Sequence, residues 1–214
     1  MVTCAADTGV AVLDVEIFRL RPGNRIADYE AAIATAARLG AGELLVAGND
    51  PVEARLVDSF AALCDLAGRY GLGVGLEFMP WTDAQDLAQA ARIVDRSARA
   101  NAGVLIDPFH LSRSRSRIED IAAIPPQRLR CMQFCDVPAA IPPTMEAIIA
   151  QARAERLFPG EGGVDLLGLL RAVPRGIPLS VEVPTHTLAK TVGATERARR
   201  ALAATKRVLA QLEA

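Results

Sequence analysis

Four short apolar runs carry a side chain whose oxygen can bind a cation or move a proton. Gly73-Val-Gly-Leu-Glu77 ends in one carboxylate, Gly103-Val-Leu-Ile-Asp107 in a second, and Pro178-Leu-Ser-Val-Glu182 in a third. The run Arg130-Cys-Met-Gln-Phe-Cys-Asp136 holds Gln133 at its centre and Asp136 at its exit. Read as strands, their period of two puts Gly73, Gly75 and Glu77 on one face, with Val74 and Leu76 on the other. It groups Ser180 with Glu182 in the same way, and Gln133 with Cys131 and Cys135. A single acidic residue at a strand end reads as a helix cap or a loop ion pair. Four such groups in the same relative position on four strands read as one shared site. Three carboxylates and an amide oxygen gathered at one end of a sheet repel one another unless a counter-charge is present. A divalent cation supplies it, and an all-oxygen donor set favours magnesium or manganese.

Two further side chains belong to the same end. His110 follows Asp107 by three residues and is expected in the loop beyond that strand, placed to act as acid or base near neutral pH or to bind substrate. Arg156 opens Arg156-Leu-Phe-Pro-Gly-Glu-Gly162, a rigid glycine-flanked loop, and can hold an anionic or hydroxylated group bidentately. His186, four residues past Glu182, reads as a surface group.

The elements that must position these residues alternate strictly. Strands are expected over residues 11–18, 43–47, 73–78, 103–107, 130–135 and 178–183. Helices are expected over residues 28–39, 52–70, 83–100, 118–124, 144–154, 164–173 and 194–212, with Thr82 or Asp83 capping the third. Strand–helix alternation implies right-handed crossovers and a parallel sheet. A dinucleotide-binding sheet needs a glycine-rich loop after its first strand, and Arg19-Leu-Arg-Pro-Gly23 is not one. A (β/α) barrel instead needs reactive groups at the carboxyl ends of several strands, and that is the pattern present. With no low-complexity linker or break in composition, the 214 residues read as a single domain.

Composition removes other classes. With 24 basic and 25 acidic side chains the formal charge is −1, which gathers neither nucleic acid nor an anionic membrane. No apolar run approaches a spanning helix and residues 1–10 lack a signal-peptide pattern, so a cytoplasmic protein is expected. Cys4, Cys64, Cys131 and Cys135 form no C-x-x-C pair and read as buried free thiols. The two lysines, Lys190 and Lys206, lie outside every expected strand, which disfavours Schiff-base chemistry.

Leu76-Glu77, Asp107-x-x-His110, Gln133-x-x-Asp136, Arg156-x-x-Pro-Gly-Glu-Gly162 and Ser180-Val-Glu182 together resemble the xylose-isomerase-like TIM-barrel superfamily, with its sugar phosphate isomerase/epimerase branch nearest. The resemblance implies one divalent metal held by Glu77, Asp107, Gln133 and Glu182, with manganese or magnesium first and zinc or cobalt as alternatives. It implies that Glu77 and Glu182 also move the proton beside the substrate carbonyl, and that His110 and Arg156 touch the substrate. The leading expectation is an isomerase or epimerase of a small sugar or sugar phosphate. Most such enzymes carry histidine where this chain has Gln133, and a glutamine there is similar to 3-dehydroshikimate dehydratases, so a dehydratase is the second expectation. A non-catalytic barrel remnant is the third. Six βα units are found where a TIM barrel has eight, so the expected fold is an α/β TIM (β/α) barrel of the xylose-isomerase-like type lacking the first two units. Residues 1–9 read as the tail of a helix. The partners expected are a small-molecule substrate and a second copy of the chain, which would cover strand edges left open.

Overall fold

The computed structural model describes residues 7–212. Six parallel strands form one sheet in the order β1 (Asp14–Leu20), β2 (Glu43–Gly48), β3 (Gly73–Glu77), β4 (Ala102–Ile106), β5 (Leu129–Phe134) and β6 (Leu179–Val181). This is the parallel, sequential order that strict alternation dictates. The chain divides into two compact units, residues 1–105 with 127–130, and residues 106–126 with 131–214, so the division falls inside β4 and β5.

In the first unit three helices follow the first three strands: α1 (Glu30–Arg38), α2 (Glu53–Gly68) and α3 (Leu87–Ser97). Helix α2 buries Leu56, Val57, Phe60, Leu63, Cys64 and Ala67, a stripe at helical spacing. Its start is anchored by Asp50, which takes two hydrogen bonds of 2.6 Å from Arg55 and one of 2.9 Å from Val52 N. Helix α3 begins four residues later than expected. Thr82 is drawn into the preceding loop, where its hydroxyl reaches the Met79 and Ala84 carbonyls, and Asp83 N donates to Gly48 O. Asp86 is the cap instead, accepting from Gln89 N at 2.8 Å. Strand β1 starts three residues later than expected because its ladder opens where β2 does, with Asp14 paired to Glu43.

In the second unit Asp107 caps α4 (Pro108–Arg113), a short helix where a loop was expected. It is followed by a 3-10 segment (Ile118–Ala123), α5 (Met145–Ala154), α6 (Leu166–Ala172), α7 (His186–Ala189) and α8 (Ala194–Ala210). Strand β6 covers only three residues, and its ladder to β5 ends with Val181 opposite Phe134. Phe109, Phe134, Leu169 and Ala204 lie fully buried in this unit. No helix among the described residues is long and apolar enough to cross a membrane. Of the expected helical tail over residues 1–9, residues 1–6 lie outside the described residues, as does Cys4.

Candidate functional site

Asp107 is the centre of a buried charged array in the second unit. It follows the last residue of β4 and is wholly buried. One carboxylate oxygen caps α4 by accepting from Phe109 N at 2.7 Å and also takes the Cys135 thiol at 3.6 Å. The other oxygen lies 2.8 Å from Arg156 Nη1 and 3.4 Å from His110 Nε2. The cap is a local consequence of Asp107-Pro108, an N-cap side chain followed by a proline whose missing N–H costs a helix nothing at its first position. Helix α4 then turns His110 back over Asp107 at three-residue spacing.

Arg156 links Asp107 to Glu182. Its Nη1 stands 2.8 Å from Glu182 Oε2 as well as 2.8 Å from Asp107, and its Nε donates to Ala152 O at 3.0 Å. The guanidinium carbon lies 5.1 Å from the centre of the Phe109 ring, a cation–π distance. The counter-charge that clustered carboxylates require is thus supplied in part by the chain itself. Burial would lower the Arg156 pKa, but Asp107, Cys135 and Glu182 hold it above its ordinary value, so it is a permanent cation. Burial pushes the Asp107 carboxyl up, yet Arg156 and His110 outweigh it and the net shift is downward. Burial dominates at His110 and lowers it to about 4, which leaves the imidazole neutral at physiological pH. The Cys135 thiol is pushed well above its usual range by burial, so it is no nucleophile. Cys64 and Cys131 are buried thiols outside any disulfide.

Gln133 is buried in β5 opposite Ser180 of β6, and Glu182 follows the last residue of β6. Glu182 itself is the exposed end of the array, with 38% of its side chain open to solvent. Asp136 organises the loop that follows. Its carboxylate accepts from the backbone of Val137, Gly160, Gly162 and Val164 at 2.8–3.2 Å. A Cβ on Gly162 would collide with that carboxylate, which explains the glycine in the Pro-Gly-Glu-Gly stretch. His186 is exposed at the start of α7.

In the first unit Glu77 is buried at the carboxyl end of β3. Ladder pairing sets Arg19, Ala47, Glu77 and Leu105 level with one another on β1 to β4. Glu77, Asp107 and His110 are each buried and each presents one atom able to ligate a metal ion. Sequence reasoning missed the engagement of Arg156 by two carboxylates, the Cys135 contact and helix α4. Only the last left a local signal.

The profile described as "Xylose isomerase-like TIM barrel" matches residues 19–208. A 3-dehydroshikimate dehydratase of Pseudomonas aeruginosa is 31% identical over 195 residues, covering 83% of this chain and 30% of the relative. An inosose isomerase of Bacillus subtilis is 28% identical over 141 residues, covering 63% of this chain and 48% of the relative. The chain therefore spans less than half the length of either relative. A crystal structure described as the IOLI protein with a bound zinc atom superimposes with a TM-score of 0.82 at 22% identity, covering 99% of this chain and 82% of that one.

Proposed function

This chain belongs to the xylose isomerase-like TIM barrel family, and we propose that it is a divalent-metal-dependent enzyme that removes a proton beside a carbonyl and eliminates water from a cyclic hydroxy-acid of the dehydroshikimate kind. The observation that carries this reading is the Asp107–Arg156–Glu182 array, a buried cation held between two carboxylates with one end open to solvent. Two features favour the dehydratase over the isomerase: Gln133 stands where most isomerases of the group carry histidine, and the dehydratase match covers more of this chain than the isomerase match.

The donor set suits a dication. Glu77, Asp107 and Glu182 bring three negative charges, Arg156 removes one, and Gln133 and the neutral His110 add none. Two negative charges remain for the ion to balance. Glu77, Asp107, Gln133 and Glu182 would hold it; oxygen donors favour manganese or magnesium, with zinc or cobalt brought within reach by His110. When bound, the ion supplies a positive charge that polarises the carbonyl and steadies the enolate. Glu182 or Glu77 takes the proton from the carbon beside the carbonyl. The carboxylic acid so formed returns that proton to the hydroxyl leaving the next carbon, so the C–H and C–O bonds break, a C=C bond forms and one water departs. His110 holds the departing hydroxyl through its N–H. Arg156 fixes both carboxylates through Nη1 and is itself held by Nε on Ala152 O, which leaves Nη2 to donate to a substrate oxygen.

Incubating metal-loaded protein with 3-dehydroshikimate tests the reading. Ultraviolet absorbance of protocatechuate should grow with Mn²⁺ and vanish with a chelator. The inosose isomerase likeness favours a second reading, in which the proton returns to a neighbouring carbon. No absorbance change, but deuterium uptake from solvent into an inosose or ketose, would replace the first reading with the second. Neither signal would overturn both. Self-association through β6, where Val181 is 38% exposed, completes the proposal, and light scattering on the purified chain decides it.

A further inference from the structure

In the first unit two polar groups stand on the same face as Glu77 without being used by the reaction just described. Arg19 lies on β1, level with Ala47 on β2, which is level in turn with Glu77 on β3. Paired residues of a parallel ladder point to the same side, and neighbouring strands lie about 4.8 Å apart, so Arg19 and Glu77 share a face at about 10 Å. Phe18 and Leu20, on either side, are buried on the opposite face, which fixes the direction of Arg19. Its side chain is half-buried, and its guanidinium makes no hydrogen bond or ion pair among the described residues; only its backbone oxygen is engaged, by the Tyr29 hydroxyl at 2.7 Å. Arg130 and Arg156, by contrast, are both paired with carboxylates. The second group is Asn49, two residues beyond Ala47 and therefore on that face one step further out. Its Oδ1 is buried and has no hydrogen-bond partner among the described residues. A buried acceptor left unmet costs stability unless something binds there to satisfy it.

The geometry points to Arg19 and Asn49 as an oxyanion subsite that selects a carboxylate-bearing substrate, with Arg19 gripping the carboxylate and Asn49 Oδ1 accepting from a ring hydroxyl. The inference rests on the reading of the carboxyl ends of the strands as the substrate end. One planar guanidinium matches one carboxylate in a two-point grip. A span of about 10 Å from Arg19 to Glu77 fits a six-membered ring carrying its acid on one side and its reacting carbon on the other.

Calorimetric titration of the full chain with shikimate, methyl shikimate, myo-inositol and inorganic phosphate tests this without requiring turnover. Shikimate should bind more tightly than its neutral methyl ester. Arg19→Ala should weaken shikimate about 30-fold, the effect of one charged hydrogen-bonded pair, and leave methyl shikimate and myo-inositol unchanged. Arg19→Lys should restore part of the loss, and Asn49→Leu should weaken acid and ester alike. Melting curves establish that each variant is folded. Shikimate binding that depends on Arg19, in a protein that fails to dehydrate dehydroshikimate, would sink the reaction and keep the subsite. Equal binding of acid and ester, tighter binding of phosphate than of shikimate, or no binding of shikimate by the unsubstituted chain would overturn the subsite.

Discussion

Arg130 in the first unit and Arg156 in the second are both paired with carboxylates, and they are built for different ends. Arg130 meets Glu43, the first residue of β2, through both nitrogens of its fork, and its stem lies over Gly73, Gly75 and Gly103. The pair is one cation to one anion, closed and neutral. A Cβ on Gly73 or Gly103 would collide with it, so the glycines of these strands make room for an arginine rather than for a ligand. Arg156 instead faces two carboxylates, has a neutral imidazole beside one of them, and is itself buried while its partner Glu182 is partly open to solvent. That array carries surplus negative charge and an open end. A balanced pair at the amino ends of the strands holds the sheet together. An unbalanced one at the carboxyl ends is what the proposed function would use to take a cation and a substrate.

The largest effect expected from this contrast is at Asp107. Asp107→Ala leaves Arg156 with only its half-exposed partner and strips α4 of its cap, so urea denaturation should show a loss of about 3 kcal/mol. Turnover should disappear as well. Substitution at Arg130 should cost stability without abolishing metal binding; if it abolishes metal binding, the division of roles is wrong.

A pH effect of nearly the same size is expected at His110. Its pKa in the folded chain is about 4, against about 6.5 unfolded, so between those values the unfolded state binds the extra proton. Stability is therefore complete above pH of about 6.5 and is lost as pH falls towards about 4, by about 3 kcal/mol in metal-free protein. Asp107, whose pKa is lowered, adds its own loss only below the ordinary carboxylate range of about 4. Urea titrations across this window should give a much flatter profile for His110→Gln. An unchanged profile would show that His110 is not held neutral in the native state.

Gly103→Ala is the counterpart in the first unit. Crowding Arg130 should cost about 2 kcal/mol, read as a lowered midpoint, while metal affinity of the folded fraction stays unchanged. The smallest stability effect belongs to Glu182→Gln. Its side chain is open to solvent and Arg156 keeps Asp107, so apo stability should move by less than about 1 kcal/mol while activity is lost. A large fall in apo stability would make Glu182 a structural partner instead.

The sequence and the structure agree where the signal is local. The ends of the apolar runs located Glu77, Asp107 and Glu182 at or just past strand ends and Gln133 within its strand, and the six strands follow one another in the parallel order expected. Helix α4 was legible in Asp107-Pro108 and was nonetheless read as a loop. The pairing of Arg156 with Asp107 spans 49 residues and that of Arg130 with Glu43 spans 87, and no periodicity reports a contact at that distance. The late start of α3 has a similar cause, since Gly48 on β2 competes for the loop before it.

The central claim is that the unbalanced array, and not the balanced pair, takes a divalent ion. Titrating metal-free protein with Mn²⁺, followed by the electron paramagnetic resonance of the free ion, tests it most directly. The account predicts one site per chain that is lost in Asp107→Asn and Glu182→Gln and intact in Glu43→Gln. A chain that binds no Mn²⁺, or that binds it equally well in all three variants, would contradict it.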